Sequence, residues 1–307
     1  MKVLRTISNY IEVLKVKETL LLGGLGLCSV IIAAFHRPGI FTLELYSLFF
    51  WHYGASLHQI IADGTLVLAT ITILIASGGA NGLTNYLDRY VDAQMERTKR
   101  RVFPTNRIKP PENGLVWIII LIAIGLVLAW FIHPYVFIAD LVGTIAAAVF
   151  RKRVVCVFPQ GVIASYAPVL MGWFAVRSDV TAELVLLCLL ITVWLPLHVW
   201  SVMVSHRNDY IKAGLTFFPL SVPVQTVVTI LLVFALLLNV VALCLYFVTN
   251  YGLFYLVVSS ILGIAMLLAT IRLVASHASK DAWKLYKLSS FPYLGLVFIA
   301  ICISLGL

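Results

Sequence analysis

Apolar runs long enough to cross a bilayer recur along the whole chain, and that one feature leaves few folds open. A hydrocarbon core of about 30 Å needs roughly 20 residues of helix to span it. Within that core every backbone N–H and C=O must be satisfied internally, so only helices and closed β-barrels cross. A barrel would be written as ten-residue alternating segments, and none occur. The runs predict spanning helices near 17–35, 64–86, 115–132, 134–150, 158–176, 181–204, 219–247, 252–274 and 283–305. Composition agrees: 62% of residues are hydrophobic and 11% charged, too few charges to cover a soluble surface. The expected fold class is an all-α polytopic membrane protein, a nine-helix bundle forming a single integral-membrane domain over 1–307.

Lys/Arg placement sets the expected direction. With Lys2, Arg5, Lys15 and Lys17 in the cytoplasm, alternation through nine spans leaves only Arg37 and Arg177 outside. A count shifted by one span would destroy that asymmetry. The expected location is the plasma membrane, with a cytoplasmic N-terminus. The net charge of +9 is then a topology signal plus attraction to anionic lipid, with no nucleic-acid partner. Residues 3–14 place Val3, Leu4, Ile7, Ile11 and Leu14 at helical spacing among basic residues, which predicts a short interfacial helix. The outer stretch 38–62 reads as a helix lying on the opposite interface, with His52 and His58 interfacial. Cys28, Cys156, Cys188, Cys244 and Cys302 are scattered through apolar runs without a CxxC and read as small buried hydrophobes. The first run lacks a small-residue cleavage site and reads as a retained helix.

The densest charge lies in "NYLDRYVDAQMERTKRR", 85–101. In a helix, Asn85, Asp88 and Asp92 fall at i, i+3 and i+7, on one face. Two carboxylates at i, i+4 repel one another, and a bound divalent cation reverses that sign. Mg²⁺ suits such a site, because it takes one or two carboxylates and completes its octahedron with water and phosphate oxygens. Arg97, Arg101 and Arg107 follow, and guanidinium forks match phosphate oxygens. Metal-binding carboxylates beside phosphate-binding arginines predict a diphosphate site, while Lys99 and Lys109 read as facing lipid headgroups. A second inner loop, "SHRNDYIKAGLTFFP" at 205–219, carries Asp209. It lies four spans further on, which hints at two similar halves facing one cavity.

"NYLDRYVDAQMERT" resembles the Asn/Asp-rich first motif of the UbiA-type intramembrane prenyltransferases. The continuation to "RRVFPTNRI" is similar to the heme O synthase (protoheme IX farnesyltransferase) branch. So is "VWLPLHVWSVMVSHRNDYIKAGLTFFPL", 193–220, with Trp194, Pro196, His198, Asp209, Tyr210, Ala213 and Gly214 in place. "FRKR" at 150–153, "YAPVLMGW" at 166–173 and "AWKLYKLSSFPYL" at 282–294 extend the resemblance over nearly the whole chain. The sequence departs from the family's usual pattern at Thr84, Val102, Phe150, His206 and Asn208. The resemblance implies a UbiA-like bundle whose central cavity opens to the cytoplasmic side. It implies a Mg²⁺-dependent transfer of a farnesyl or longer prenyl group from its diphosphate to a vinyl group of heme b.

In that reading Asn85, Asp88, Asp92 and Asp209 hold Mg²⁺. Arg97, Arg101, Arg107, Lys152 and Arg153 bind the diphosphate, and Arg207 and Lys212 close over it. Trp194, His198, Ser201, Ser205 and Asp209 recur at intervals of three or four, one polar stripe on a helix containing Pro196. His198 on that stripe is the expected group for orienting or ligating heme, with Trp194 and Tyr210 also at the substrates. Asp140, inside the fourth span, needs a polar neighbour there. A heme-handling or oxidase-assembly partner would suit this activity, and nothing in the sequence specifies one. Two rivals stand beside it: transfer to an aromatic or lipid acceptor, and a cation-coupled carrier. A carrier would place its charges at the bilayer midplane rather than at one edge.

Overall fold

The computed structural model describes residues 2–35, 42–44, 61–62, 64–149, 157–249 and 251–306. Among them the elements are α1 (Lys2–Glu12), α2 (Val16–Phe35), β1 (Thr42–Glu44), α3 (Thr65–Leu87), α4 (Arg89–Gln94), α5 (Pro111–Ile132), α6 (Pro134–Ala148) and α7 (Gln160–Phe174). There follow β2 (Asp179–Thr181), α8 (Ala182–Ser205), α9 (Arg207–Lys212), α10 (Val224–Thr249), α11 (Leu253–Ser276) and α12 (Ser279–Leu288). A kinked segment, Ser289–Gly295, in which Ser290 leaves the helical conformation (ψ −138°), joins α12 to α13 (Leu296–Gly306).

The chain is a helical bundle, and each expected apolar run is helical. Among the described residues seven helices are long and apolar enough to cross a membrane, counting Ser279–Gly306 as one. α6 and α7 have 15 residues each, about 22 Å at 1.5 Å per residue, and fall short of a full core. Pro111 and Pro134 open their helices at the first turn, where a missing N–H is harmless. The Thr181 hydroxyl caps α8 by accepting from Leu184 N.

Each helix packs on its neighbours in a ring: α2 on α3 and α7, α3 on α5, α6 on α7, α10 on α8 and α11, with α13 returning to α2. Small residues allow the closest approach, as in other membrane bundles. A Cβ on Gly172 would come within 2.3 Å of Gly26 O, so α2 and α7 touch backbone to backbone there. Ser29 Oγ donates to Val169 O at 2.7 Å across the same seam. Trp173, Tyr255, Tyr293 and Phe298 fill the interior. Phe131, Phe247 and Ile261 are exposed, the outward apolar surface a lipid-facing bundle requires.

α1 is helical as the spacing predicts, with Leu4, Ile7 and Ile11 exposed along one side. The outer stretch corrects the expectation in part. Thr42–Glu44 is a strand, paired antiparallel with Asp179–Thr181, not part of an interfacial helix. Pairing with a segment far along the chain satisfies its backbone, and no local periodicity announces that. Most of 38–62, His52 and His58 included, lies outside the described residues.

Candidate active site

α3 ends at Leu87, Asp88 forms the joint, and α4 resumes the helical direction, with Asp92 N donating to Asp88 O at 2.8 Å. Asn85, Asp88 and Asp92 are all buried, with Asp92 fully so. Arg101 folds back onto them. Its Nη1 donates to Asp92 Oδ2 at 2.7 Å and to Asn85 Oδ1 at 3.4 Å. The segment 95–106 that carries Arg101 is anchored by its own apolar side chains. Val102, Phe103 and Ile108 pack with Val13 and Ile118 in a small separate core. Asn106 ends this segment in the left-handed region (φ 51°), with Arg107 N bonded to Val102 O.

The N-terminal turn clasps the same motif, which the sequence did not announce. Asn85 Nδ2 donates to Val13 O at 2.9 Å, and Lys15 Nζ donates to Thr84 Oγ1 at 2.8 Å. Asn81 Nδ2 donates to Thr19 Oγ1 at 3.0 Å. The available signal was Lys15 at the start of the first span, which charge placement alone assigns to topology.

α9 carries the second motif and closes with a glycine cap. Gly214 lies at φ 78°, Gly214 N bonds Ile211 O, and Leu215 N bonds Tyr210 O, the paired bonds of a Schellman turn. This fixes α9 against the first motif. Asp209 Oδ1 accepts from Glu96 N at 2.8 Å and Oδ2 from Arg97 N at 3.3 Å. Arg97 Nη2 donates to Tyr210 OH at 3.0 Å. Two loops more than a hundred residues apart in sequence are therefore one surface.

Other expected residues are placed differently. Arg207 donates to three backbone carbonyls, Pro219, Leu220 and Val222, and so braces the turn after α9. Lys212 is exposed. Arg107 pairs with Glu12 on α1, at 2.6 and 2.5 Å, and that bonding raises its pKa above the usual guanidinium range. Lys152 and Arg153 lie outside the described residues.

Trp194 and His198 sit one helical turn apart on α8, their rings stacked at 4.9 Å and 16°. α12 adds what sequence reasoning passed over. Tyr286 lies against His198 at 4.8 Å, and Trp283 stacks on Tyr286 at 4.8 Å. His206 meets Trp283 edge-on at 5.1 Å, so five rings run in series from α8 to the loop end. Tyr286 is also within electrostatic reach of Arg97 and Arg101. The signal in the sequence was an aromatic pair at i, i+3, Trp283 and Tyr286, in an otherwise polar turn.

A cavity of ≈ 280 Å³ lies between α2, α3, α6, α7 and α8. Thr84 lines it, so it reaches the residue before Asn85. Alanine is its most frequent lining residue, and Ser77, Asn81, Gln160 and Asp140 are among its polar points. Asp140 is buried and accepts from Thr144 Oγ1 at 3.2 Å, the polar neighbour its position called for.

The donors at the first motif are all oxygens, Asn85 Oδ1 and the carboxylates of Asp88 and Asp92, which suits a hard cation. Among the described residues no three acidic, histidine or cysteine side chains converge on one point. Asp209 is occupied with the 96–97 backbone rather than gathered to the other two. An incomplete protein shell is what Mg²⁺ meets when phosphate oxygens supply the remainder.

The model of the UbiA prenyltransferase family matches residues 40–291. This chain belongs to that family. Among curated relatives, the protoheme IX farnesyltransferase of Desulforudis audaxviator is 32% identical over 252 residues, covering 80% of this chain and 79% of that protein. The one from Thermoplasma volcanium is 29% identical over 251 residues, covering 78% and 84%. A solved digeranylgeranylglyceryl phosphate synthase superposes with a TM-score of 0.72 at 17% identity, over 98% of this chain and 99% of that one. A UbiA homologue from Archaeoglobus fulgidus, bound to DMAPP and Mg²⁺, superposes with a TM-score of 0.65 at 15% identity, over 97% and 99%. The UbiA fold is thus common to this bundle and to proteins with which it has little sequence in common.

Proposed function

We propose that this UbiA-family enzyme transfers a farnesyl, or longer prenyl, group from its diphosphate to a vinyl group of heme b. The observation that carries the reading is the joined pair of loops. Asp209 and Tyr210 hold the backbone and side chain of Arg97, while Arg101 stands on Asn85 and Asp92. Anionic and cationic groups are thereby fixed close in the chain to Thr84, which lines a largely apolar cavity. The heme acceptor is favoured by the curated relatives, which are protoheme IX farnesyltransferases.

Asn85, Asp88 and Asp92 would hold Mg²⁺, which when bound neutralises charge on the leaving diphosphate. Arg97 and Arg101 would bind phosphate oxygens, joined by Lys152 and Arg153 from the stretch between α6 and α7. Fixed guanidinium groups stabilise the charge that builds as the C1–O bond breaks. The cavity receives the prenyl chain and limits water at the allylic cation. His198 and Trp194 hold the heme so that a vinyl group attacks C1, and water then quenches the heme-side cation, leaving a hydroxyalkyl tail. The cavity opens toward the cytoplasm, with nine spans in the plasma membrane and the N-terminus inside.

Labelled farnesyl diphosphate tests this reading. In membranes containing the protein and Mg²⁺, label should pass into added heme b and not into 4-hydroxybenzoate. Label in the phenolic acid, with none in heme, would overturn the acceptor assignment.

A further inference from the structure

Close glycine contacts give the ≈ 280 Å³ cavity a direction, and at its far end lies a carboxylate. A Cβ on Gly82 would come within 2.8 Å of Ile118, one on Gly79 within 2.8 Å of Ile122, and one on Gly125 within 3.2 Å of Ala76. α5 therefore runs antiparallel to α3. His133 closes α5 and opens α6 in one tight turn, so α6 runs back in the same sense as α3. The residues lining the cavity extend from Ala76 to Thr84 on α3 and from Asp140 to Ala147 on α6. Asp140 is thus at the end remote from Thr84 and from the first motif.

Asp140 is 4% exposed. Its Oδ1 accepts from Thr144 Oγ1 at 3.2 Å, whereas Oδ2 has no hydrogen-bond partner among the described residues. A buried polar atom is costly unless a donor meets it. The cavity that Asp140 lines has room for that donor, as water or as a hydroxyl on a ligand. An apolar chain end pressed against Asp140 would displace the donor and leave the oxygen unmatched.

Length decides which chains reach that far. The α3 wall, Ala76 to Thr84, is about 12 Å long, and the α7 wall, Gln160 to Met171, about 16 Å, at 1.5 Å per residue. An extended chain advances about 1.2 Å per bond, so farnesyl runs about 13 Å from C1 and geranylgeranyl about 18 Å. Farnesyl ends inside the cavity, and geranylgeranyl meets its floor.

We propose that Asp140 is a specificity-determining residue: it makes the floor of the cavity polar and so limits the prenyl donor to farnesyl length. The proposal rests on the reading that this cavity receives the prenyl chain, and it fixes a length which that reading leaves open.

The test measures binding of unreactive farnesyl and geranylgeranyl thiolodiphosphates to the full-length protein in nanodiscs with Mg²⁺, without any acceptor. Longer chains partition more strongly into lipid. The quantity read is therefore the ratio of geranylgeranyl to farnesyl affinity compared between proteins, from which partition cancels. Asp140→Leu, apolar and of similar size, should raise that ratio about 10–100-fold, the cost of an unmatched buried polar atom having been removed. Asp140→Asn, which keeps the floor polar, should hold the ratio near the wild-type value. An unchanged ratio in Asp140→Leu would overturn the proposal while leaving the diphosphate site in place. A wild type that binds neither analogue would instead overturn the prenyl-diphosphate reading itself. The wild type also gives a measurement that needs no folded variant. A geranylgeranyl analogue with a hydroxyl at its far end can donate to Asp140 Oδ2 and should bind more tightly than the plain analogue. Equal or weaker binding would overturn the proposal.

Discussion

Asp92→Asn separates two roles that the sequence alone merges. Considered as one of two like charges on a helix face, Asp92 should be neutralised without harm to folding, or with a slight gain. The structure reverses that sign. Asp92 is fully buried and its Oδ2 accepts from Arg101 at 2.7 Å. Removing one partner of a fully buried ion pair costs about 3–5 kcal/mol. Two features reduce the figure here. The Arg101 side chain is 28% exposed and can turn toward water, and asparagine keeps one oxygen as an acceptor. A loss of roughly 1.5–3 kcal/mol, the range for a hydrogen bond to a charged group, is the expected result. Thermal unfolding followed by tryptophan fluorescence in detergent should then shift down by a few degrees. Mg²⁺-dependent turnover should fall more than about a hundredfold, as when a fixed transition-state contact is removed. Unchanged unfolding would refute the ion pair, and unchanged turnover would refute the role of Asp92 at the diphosphate.

Asp209→Asn replaces one of two backbone-accepting oxygens with a donor, so segment 95–106 should loosen, and trypsin should cut at Lys99 and Arg100 several times faster than in wild type. Tyr210→Phe keeps the ring but loses the hydrogen bond to Arg97; a neutral bond is worth about 0.5–1.5 kcal/mol, so turnover should drop roughly three- to tenfold with folding intact. Glu12→Gln breaks an exposed pair with Arg107 and should change stability by less than about 1 kcal/mol in denaturation measurements. Single cysteines at Thr105 and Ser178, in a cysteine-free background, should be labelled by an impermeant reagent from opposite faces, Thr105 from the cytoplasm.

The spans were legible because a bilayer demands a length, and a run such as 224–249 carries that length in its own composition. α1 was legible for a related reason, since apolar and basic residues alternate there at helical spacing. The first and second motifs stood out because charges of both signs gather there in a chain that is only 11% charged. Their mutual bonding was not legible. Nothing local to Asp209 says that its carboxylate meets the backbone of Glu96 and Arg97. The same holds for Lys15 on Thr84, and for the strand 42–44 on 179–181, contacts that exist only after the ring of helices closes. Side-chain type does not give placement either. An arginine near a phosphate site reads as a phosphate ligand, and in the structure Arg207 donates to three carbonyls and Arg107 to Glu12.

The central claim is that a vinyl group of heme is the nucleophile, and paired acceptors test it most directly. Purified protein in nanodiscs, with Mg²⁺ and farnesyl diphosphate, is given either heme b or mesoheme, whose vinyl groups are reduced to ethyl. Both macrocycles present the same iron to His198 and the same face to Trp194, so binding should be similar. Mass spectrometry should find heme b converted to a species heavier by one farnesyl group and the elements of water, and mesoheme unchanged. Prenylated mesoheme, or heme b left unconsumed while farnesyl diphosphate is turned over onto another acceptor, would contradict the account.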